Sequence, residues 1–401
     1  MKPLEGIRVL DLSRVLAGPW ATQTLADLGA DVIKVEQPVS GDDTRHWGPP
    51  WHEHGAEKVA AYFLAANRGK RSVAIDFATE EGAALVARMA ASADVVVENF
   101  KVGGLAKFGL DAGTLRSANP RLIYASITGF GQDGPYAARA GYDYIIQAMG
   151  GLMSLTGLPD GEAGGGPMRV GVAVADLSTG LYTANAILAA LVRRGVTGEG
   201  ATIDMALFDT QLAMLANQAS NALVSGKDPQ RQGAGHPNIV PYQPFAASDE
   251  QIIVAVGNDR QFAKLATILG HPEWANDPAF ATNAERVAAR DTLVPTIAAI
   301  ISEKAAAAWL DAFEQAGIPA GPINTVLQAL ADPQAEHRGV RVRAGGGALG
   351  EVALVGSPIR IDGERIDAPL PPPALGEHRA LLGEWIDADE LARLTAAGIV
   401  G

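Results

Sequence analysis

The 401-residue chain contains no cysteine, which excludes disulfides, thiolate metal sites and a cysteine nucleophile. It is also short of basic charge. Lys and Arg number 32 against 45 Asp and Glu, for a formal net charge of −13 and a pI near 5.0. Nucleic-acid binding by counterion release needs a basic face that this balance does not supply, although a few local cations can still hold an anionic small molecule. Long apolar runs are missing too. Mean hydropathy is +0.09, and each hydrophobic stretch is interrupted before the length of about 20 residues that a bilayer span requires. The opening segment, Met1–Ser13, has neither the apolar core nor the small-residue cleavage site of a secretory signal. What is present, 48% apolar and 19% charged residues, is the composition of a folded globular chain. These features predict a cytoplasmic enzyme of two domains, or of one large domain with an insertion, with no nucleic-acid or membrane partner.

Short β-branched runs alternate with helical stretches through the first third of the chain. Strands are predicted at Ile7–Leu12, Asp31–Val35 (running into Glu36), Ser72–Asp76, Asp94–Glu98 and Leu122–Thr128, with helices at Trp20–Leu28 and Thr79–Ala91. Strands spaced by helices, with little polar alternation, imply an α/β fold around a parallel, doubly wound sheet buried on both faces. A long Ala- and Leu-rich helix follows over Asp176–Arg194, then a strand at Ala201–Met205 and a helix at Phe208–Leu223. The Gly/Pro/Gln-rich stretch Ser225–Pro237 reads as a linker or mobile loop. Beyond it a strand at Gln251–Val256 and helices at Arg260–Leu269, Arg286–Ser302 and Ala305–Ala316 form a smaller unit. Gly-rich Ala344–Gly350 and Pro-rich Pro369–Pro373 lead to a tail with a helix near Asp387–Ala397.

Three features invite a chemical reading. Gly129–Gly134 is a literal GxGxxG after a predicted strand, but it follows the fifth strand rather than the first, and Pro135 comes at once. A tight glycine turn is the better reading than a dinucleotide fingerprint, and a nicotinamide-dependent dehydrogenase ranks last among the functions considered. Glu36 stands where a ribose-binding acid would, which without the first glycine loop is weak support. His46, His52 and His54 cluster around Trp47 and Trp51 without helical spacing or cysteine partners, so they read as loop histidines and no metal is predicted. No GxSxG elbow is present. Asp176 follows the apolar run Gly171–Ala175 and opens the long helix. It reads either as a helix N-cap or as a partly desolvated, nucleophilic carboxylate, and spacing leaves both open.

Segments along the whole chain resemble the class III CoA-transferases, the family of formyl-CoA transferase and carnitine CoA-transferase. They are Asp11–Pro19 (DLSRVLAGP), Leu28–Glu36 (LGADVIKVE), Ser40–Arg45 (SGDDTR), Asn67–Ser72 (NRGKRS), Val96–Phe100 (VVENF), Ser126–Gly134 (SITGFGQDG), Ala140–Asp143 (AGYD), Val172–Gly180 (VAVADLSTG), His236–Phe245 (HPNIVPYQPF), Gly317–Asn324 (GIPAGPIN) and Leu375–His378 (LGEH). The SGDDTR and HPNIVPYQ versions look most like the branch that pairs succinyl-CoA with dicarboxylic acids such as glutarate or hydroxymethylglutarate.

The resemblance implies a Rossmann-like, CoA-binding large domain over 1–224, a smaller α/β domain over 225–330, and a linker and tail over 331–401 that returns to the large domain, in an interlocked homodimer. It implies Asp176 as the nucleophile, an aspartyl-CoA thioester intermediate, acyl-CoA and a carboxylic acid as substrates, and no metal or permanently bound cofactor. CoA-binding positions carried over by motif are Leu16, Ala17, Ile75, Asp76, Phe77, Ala78, Asn99, Phe100, Lys107, Tyr142 and Asp143. Pro38 stands where formyl-CoA transferase has a phosphate-contacting arginine, so Arg45, Arg68 and Arg71 are expected to supply charge instead. The long glycine-rich lid of formyl-CoA transferase is absent; Gln232–His236, with Gly233 and Gly235, is a shorter candidate. Arg45 and Arg169, with His236, are the candidate clamps for a second substrate carboxylate. Related α-methylacyl-CoA racemases carry His where this chain has Tyr142, whose ordinary pKa of about 10 suits proton transfer poorly, which favours a transferase. A non-catalytic acyl-CoA-binding homologue is the remaining alternative, and the intact Asp176 speaks against it.

Overall fold

Near-continuous apolar strands can be buried only if helices cover both faces of their sheet, and the chain meets that requirement. The computed structural model describes residues 2–366 and 370–401; Pro369, where the Pro-rich segment begins, lies outside them. Six parallel strands are β1 (Arg8–Asp11), β2 (Asp31–Glu36), β3 (Lys70–Ala74), β4 (Val95–Glu98), β5 (Ile123–Thr128) and β6 (Ala201–Ala206). Their spatial order, β3-β2-β1-β4-β5-β6, is the doubly wound Rossmann order, which reverses direction between β1 and β4. Successive strand residues point to opposite faces. Leu10, Ile33, Val73 and Val96 therefore enter a core with Leu85, Val86 and Met89 of α2 (Glu80–Ala91), closed by Leu382, Leu394 and Val400 of the C-terminal segment. Val9, Val32, Val95 and Val97 enter the opposite core, against α1 (Ala17–Asp27) and its neighbour, the 24-residue helix Val174–Thr197.

Two compact units result. The first comprises Met1–Leu152, Val170–Val224 and Pro333–Gly401; the second comprises Met153–Arg169 and Ser225–Asp332. Met153–Arg169, which the sequence reading placed with the large domain, thus groups with the second unit. The second unit has its own core, where Phe245, Ile252, Val254, Phe262, Trp309 and Phe313 pack around a three-stranded antiparallel sheet. Within the first unit the chain's last residues lie along the end of β3. The Gly401 N–H donates to the Ala74 carbonyl at 3.1 Å, and the Asp76 N–H to the Ile399 carbonyl at 2.8 Å.

Two expected helices are broken. Phe208–Leu223 divides into Leu207–Met214 and Ala216–Ser225, because Ala216 adopts φ +46°. Arg286–Ser302 becomes Asn283–Ala288, opened by a Thr282/Glu285 capping box, and Arg290–Ile301. The expected strand Ser72–Asp76 runs two residues earlier, where Lys70 and Arg71 pair with Val32 and Ile33.

Buried charges lie beneath the loops that follow β1 and β2, reached by Lys70 from the start of β3, and each has a partner. Lys70 donates from Nζ to Asp11 at 3.0 Å and to Asn67 and the Pro19 carbonyl at 2.9 Å. Asp11 also accepts from the Ser13 N–H at 2.9 Å and the Thr22 hydroxyl at 2.6 Å. Lys34, fully buried, pairs with Asp42 at 3.0 Å. Glu36 takes a two-pronged bond from Arg45, at 2.7 and 2.8 Å. Burial alone would raise the Asp11 carboxyl, but Lys70, Lys34 and the two hydroxyls outweigh it and hold the group at about 2, against an ordinary 3.8.

Breaking a buried pair from one side costs up to about 3–5 kcal/mol, and here removal of Lys70 leaves Asp11 with only the charge of Lys34 and its Ser13 and Thr22 bonds. Lys70→Met is therefore expected to lower unfolding free energy by up to that amount, read as a shift in the urea midpoint; a change below about 1 kcal/mol would show that the pair carries no such burden. Because the folded Asp11 carboxyl is depressed, its stabilisation is complete above about pH 4 and disappears as pH falls through about 2. Lys70→Met should flatten that acid limb.

Candidate functional site

In a doubly wound sheet the loops at the carboxyl ends of the strands part where strand order reverses, and ligands bind there. A cleft of about 880 Å³ occupies this position, lined wholly by residues of the first unit. Its wall is built from Leu12–Ala17 after β1, Glu36–Gln37 and Gly41–Asp43 after β2, Ile75–Ala78 after β3, Asn99–Val102 after β4, and Ala137–Tyr142, with Asp176 entering from the long helix.

That helix, α4 (Val174–Thr197), approaches α1 closely at Gly180. A Cβ there would lie 2.7 Å from the Ala17 carbonyl oxygen and 3.0 Å from the Trp20 Cβ, so only glycine permits the crossing. Gly129 and Gly141 make a second close approach: a Cβ on either would come within 2.5 Å of the other's backbone. This contact sets the chain that leads into Tyr142 and α3 (Asp143–Met149).

Asp176 is not the N-cap that one reading of the sequence assigns. It sits inside the first turn, and the cap position, Ala173, offers no side-chain acceptor. The cap comes from elsewhere: Asp143 accepts the Ala175 N–H at 2.8 Å with one oxygen and the Gln147 amide at 2.7 Å with the other. Asp143, expected among the CoA contacts, therefore holds the helix start rather than lining the cleft. A carboxylate in a helix's first turn is ordinarily favoured by the macrodipole. Here burial dominates, and the charge of Asp143 adds to it, pushing Asp176 up to about 7 from 3.8. Tyr62 is pushed up to about 12 by burial and then by the charges of Asp176, Asp143 and Asp42, which places its phenol in the same electrostatic environment. Nothing in the sequence pattern marks Tyr62.

Of the expected CoA positions, Leu16, Ala17, Ile75, Asp76, Phe77, Ala78, Asn99, Phe100, Lys107 and Tyr142 all line the cleft. The expected arginines do not. Arg45 is 6% exposed, stacks 3.7 Å over the Phe63 ring, bonds Glu36 and the Pro373 carbonyl, and does not line the cleft. Arg68 is bound to Asp27 and the Val355 carbonyl, and Arg71 to Asp31. The cations in the wall are Arg14, Lys101, Lys107 and Arg139. Arg14 and Lys101 follow β1 and β4 directly, so the strand-end rule points to them; Arg139 has no such signal.

Arg169, Gly233, Gly235 and His236 belong to the second unit. There Gly233 takes φ +60°, the Gly235 N–H donates to the Gln232 carbonyl at 2.9 Å, and the His236 N–H to the Tyr242 carbonyl at 3.0 Å. Arg290 donates to the His236 carbonyl at 2.7 Å. Gly129–Gly134 forms a turn in which the Gly131 N–H donates to the Thr128 hydroxyl at 2.9 Å, and the next helix begins only at Asp143. His46 and His52 bond the Ser40 and Leu349 carbonyls. No cluster of three or more His, Asp or Glu suited to a metal occurs among the described residues.

This site combines a carboxylate poised near neutrality with a cationic, partly aromatic wall, an arrangement suited to nucleophilic attack on a bound anionic acyl compound. The chain is 53% identical over 382 residues to a succinate–glutarate CoA-transferase of Agrobacterium fabrum, covering 94% of each chain. It is 42% identical over 403 residues to the succinyl-CoA:glutarate CoA-transferase of Homo sapiens, covering all of this chain and 90% of that one. Its fold superimposes on the crystal structure of a CAIB/BAIF family protein from Brucella suis with a TM-score of 0.84 at 52% identity, covering 95% of this chain and 99% of the other. The family model for CoA-transferase family III matches residues 4–379, and with full-length relatives so similar the chain belongs to that family.

Proposed function

We propose that this enzyme carries CoA from succinyl-CoA to glutarate or a similar short dicarboxylic acid through covalent attachment to Asp176. One observation carries the reading: Asp176 opens on the strand-end cleft with its carboxyl raised to about 7, so that at neutral pH a substantial share is ionised yet poorly solvated. The relatives named above support the choice of substrates.

The Asp176 carboxylate attacks the thioester carbonyl and expels CoA thiolate, leaving a mixed anhydride of succinate and Asp176. The thiolate then attacks the aspartyl carbonyl, forming an aspartyl-CoA thioester and releasing succinate. The acceptor carboxylate attacks that thioester, expelling the thiolate to give a second mixed anhydride. Attack of the thiolate on the acceptor's acyl carbon yields glutaryl-CoA and restores Asp176. The steps balance without an external oxidant, reductant or water. The first turn of α1, whose cap residue Leu16 supplies no side-chain acceptor, offers N–H groups to negative charge that develops on the thioester oxygen. Arg14, Lys101, Lys107 and Arg139 are the cleft's partners for CoA phosphates. We place the enzyme in the cytoplasm. Although α4 is long and apolar enough to span a bilayer, it packs along α1 and carries the largely buried Arg194, paired with Asp94 at 2.8 Å.

Asp176→Ala is expected to abolish transfer, and Asp176→Asn nearly so, because an amide forms no anhydride. Hydroxylamine added with succinyl-CoA should modify Asp176 in the wild type, as read by peptide mass spectrometry. With a nucleophile raised to about 7, kcat/KM should fall as pH drops below that value, and Asp143→Asn should move the inflection downward by removing a neighbouring negative charge. Normal turnover by the folded alanine variant would refute the assignment.

A second carboxylate held by a charge-assisted pair contributes roughly 1.5–3 kcal/mol, or about ten- to a hundredfold in specificity. Glutarate should therefore exceed butyrate as acceptor by that factor. Equal efficiency of the two acids in the wild type would remove the dicarboxylate from the proposal.

We further propose a homodimer. Leu181, Tyr182, Val192 and Val196 leave apolar surface along α4, with Val196 86% exposed. Sedimentation at micromolar concentration should show a single dimeric species, and a stable folded monomer would contradict it.

A further inference from the structure

Val15 has φ +69°, one of three positive values outside glycine among the described residues. For a β-branched side chain this left-handed conformation is strained, and such strain persists only where the surroundings impose it. Val15 lies in the wall of the cleft between Arg14 and Leu16, so the distortion shapes the surface that a ligand meets.

The strained residue is bonded to a buried carboxylate. The Val15 N–H donates to both oxygens of Asp42, at 3.2 and 3.3 Å. Asp42 also accepts from the Thr44 N–H at 3.0 Å and the Thr44 hydroxyl at 2.7 Å, and pairs with Lys34 at 3.0 Å, both side chains fully buried. Lys34 in turn donates to the Ser13 carbonyl at 2.7 Å. One ion pair thus grips the turn at two points, Ser13 through the cation and Val15 through the anion. Between them the Arg14 backbone is clasped by Asn99, which accepts its N–H at 2.9 Å and donates to its carbonyl at 2.6 Å. Burial would raise the Asp42 carboxyl, but Lys34 and the Thr44 bonds hold it below its ordinary value and keep it an acceptor. A buried ion pair is a weak source of net stability, so its place directly beneath a strained turn points to a different task.

We propose that Asp42 is a positioning residue that, through Val15, holds the Arg14–Ala17 turn in the shape that forms the acyl-CoA-facing wall of the cleft. The inference rests on the reading of that cleft as the acyl-CoA site, and two readouts separate the two claims. A double-variant cycle of Asp42→Asn, Val15→Gly and the pair together is measured for CoA affinity by calorimetry, for kcat and KM with succinyl-CoA, and for amide hydrogen exchange over residues 12–20 without ligand. Asp42→Asn is expected to weaken CoA binding and raise KM about tenfold, with kcat much less affected, and to speed exchange in the turn. In the Val15→Gly background the same change should cost about threefold or less, since glycine adopts the left-handed conformation without strain. An equal loss in both backgrounds, or an Asp42→Asn variant with wild-type affinity and exchange, would overturn the proposal. If Asp42→Asn fails to fold, a folded, CoA-binding double variant supports it, and a double variant that also fails to fold refutes it. A wild type that binds no CoA defeats the reading of the cleft instead, and the exchange cycle still decides the role of Asp42.

Discussion

Everything at the working end of the sheet depends on how four charges come to lie beneath it without water. Lys34 and Lys70 project from adjacent strands and are fully buried, and an unpaired ammonium there would cost several kcal/mol. Asp11 answers Lys70 from β1, and Asp42 answers Lys34 from the loop after β2. Those partners also fix where the chain can go next. Asp11 binds Ser13 and Thr22, and Asp42 binds Val15, so the turn from β1 into α1 has little freedom. Glu36 adds a further anchor: it accepts from Arg45, the Ser72 hydroxyl and the Asp42 N–H, tying the second loop to the third strand. The cleft's floor and one wall are consequences of pairing charges that could not otherwise stay buried.

The opposite side of the cleft is organised by steric permission and by repulsion between like charges. Gly180 lets α4 reach the start of α1, and Asp143 caps α4 from outside, so the helix needs no capping side chain of its own. That arrangement frees Asp176 from a structural bond to its own helix terminus while placing a second negative charge beside it. The two effects act in one direction. Burial and the neighbouring anion both disfavour the charged carboxylate, and together they raise its pKa. The start of α1, which carries no side-chain cap, also borders the cleft at Leu16 and Ala17.

The fold was legible because strands buried on both faces leave an unambiguous apolar record, and Val9, Val32 and Val95 could hardly be anything else. Helix boundaries were legible where a cap was written locally, as at Thr79, which accepts the Gly82 N–H at 3.1 Å, or Asp387, which accepts that of Glu390 at 2.8 Å. They were lost where the backbone turned for tertiary reasons, as at Ala216. At the site, Leu16, Ile75, Asn99 and Phe100, which the family resemblance supplies, lie in the loops after the strands and line the cleft. Tyr62 was missed because only folding brings its short helix near Asp176. The capping role of Asp143 was missed because its partner, Ala175, lies 32 residues away, and no local spacing encodes that bond.

The arginines show why a motif alone cannot assign a role. Arg45, Arg68 and Arg71 all occur in segments that resemble the family, and an acidic ligand invites each of them to be read as its partner. Yet a guanidinium is equally the side chain best able to bridge buried carboxylates, because its planar fork satisfies both oxygens at once. Arg45 does this with Glu36 and Arg68 with Asp27, and both are less than 10% exposed. Arg14, by contrast, leaves about half its side chain exposed, with one contact to Asp43 at 2.9 Å and its guanidinium 5.4 Å over the Phe100 ring. Such a cation can exchange a surface carboxylate for a ligand phosphate at little cost, since exposed ion pairs contribute about 0–1 kcal/mol. Within a run of basic residues it is therefore the acid beneath each one that decides the role: a buried carboxylate makes an arginine part of the scaffold, and an exposed one leaves it available to a ligand.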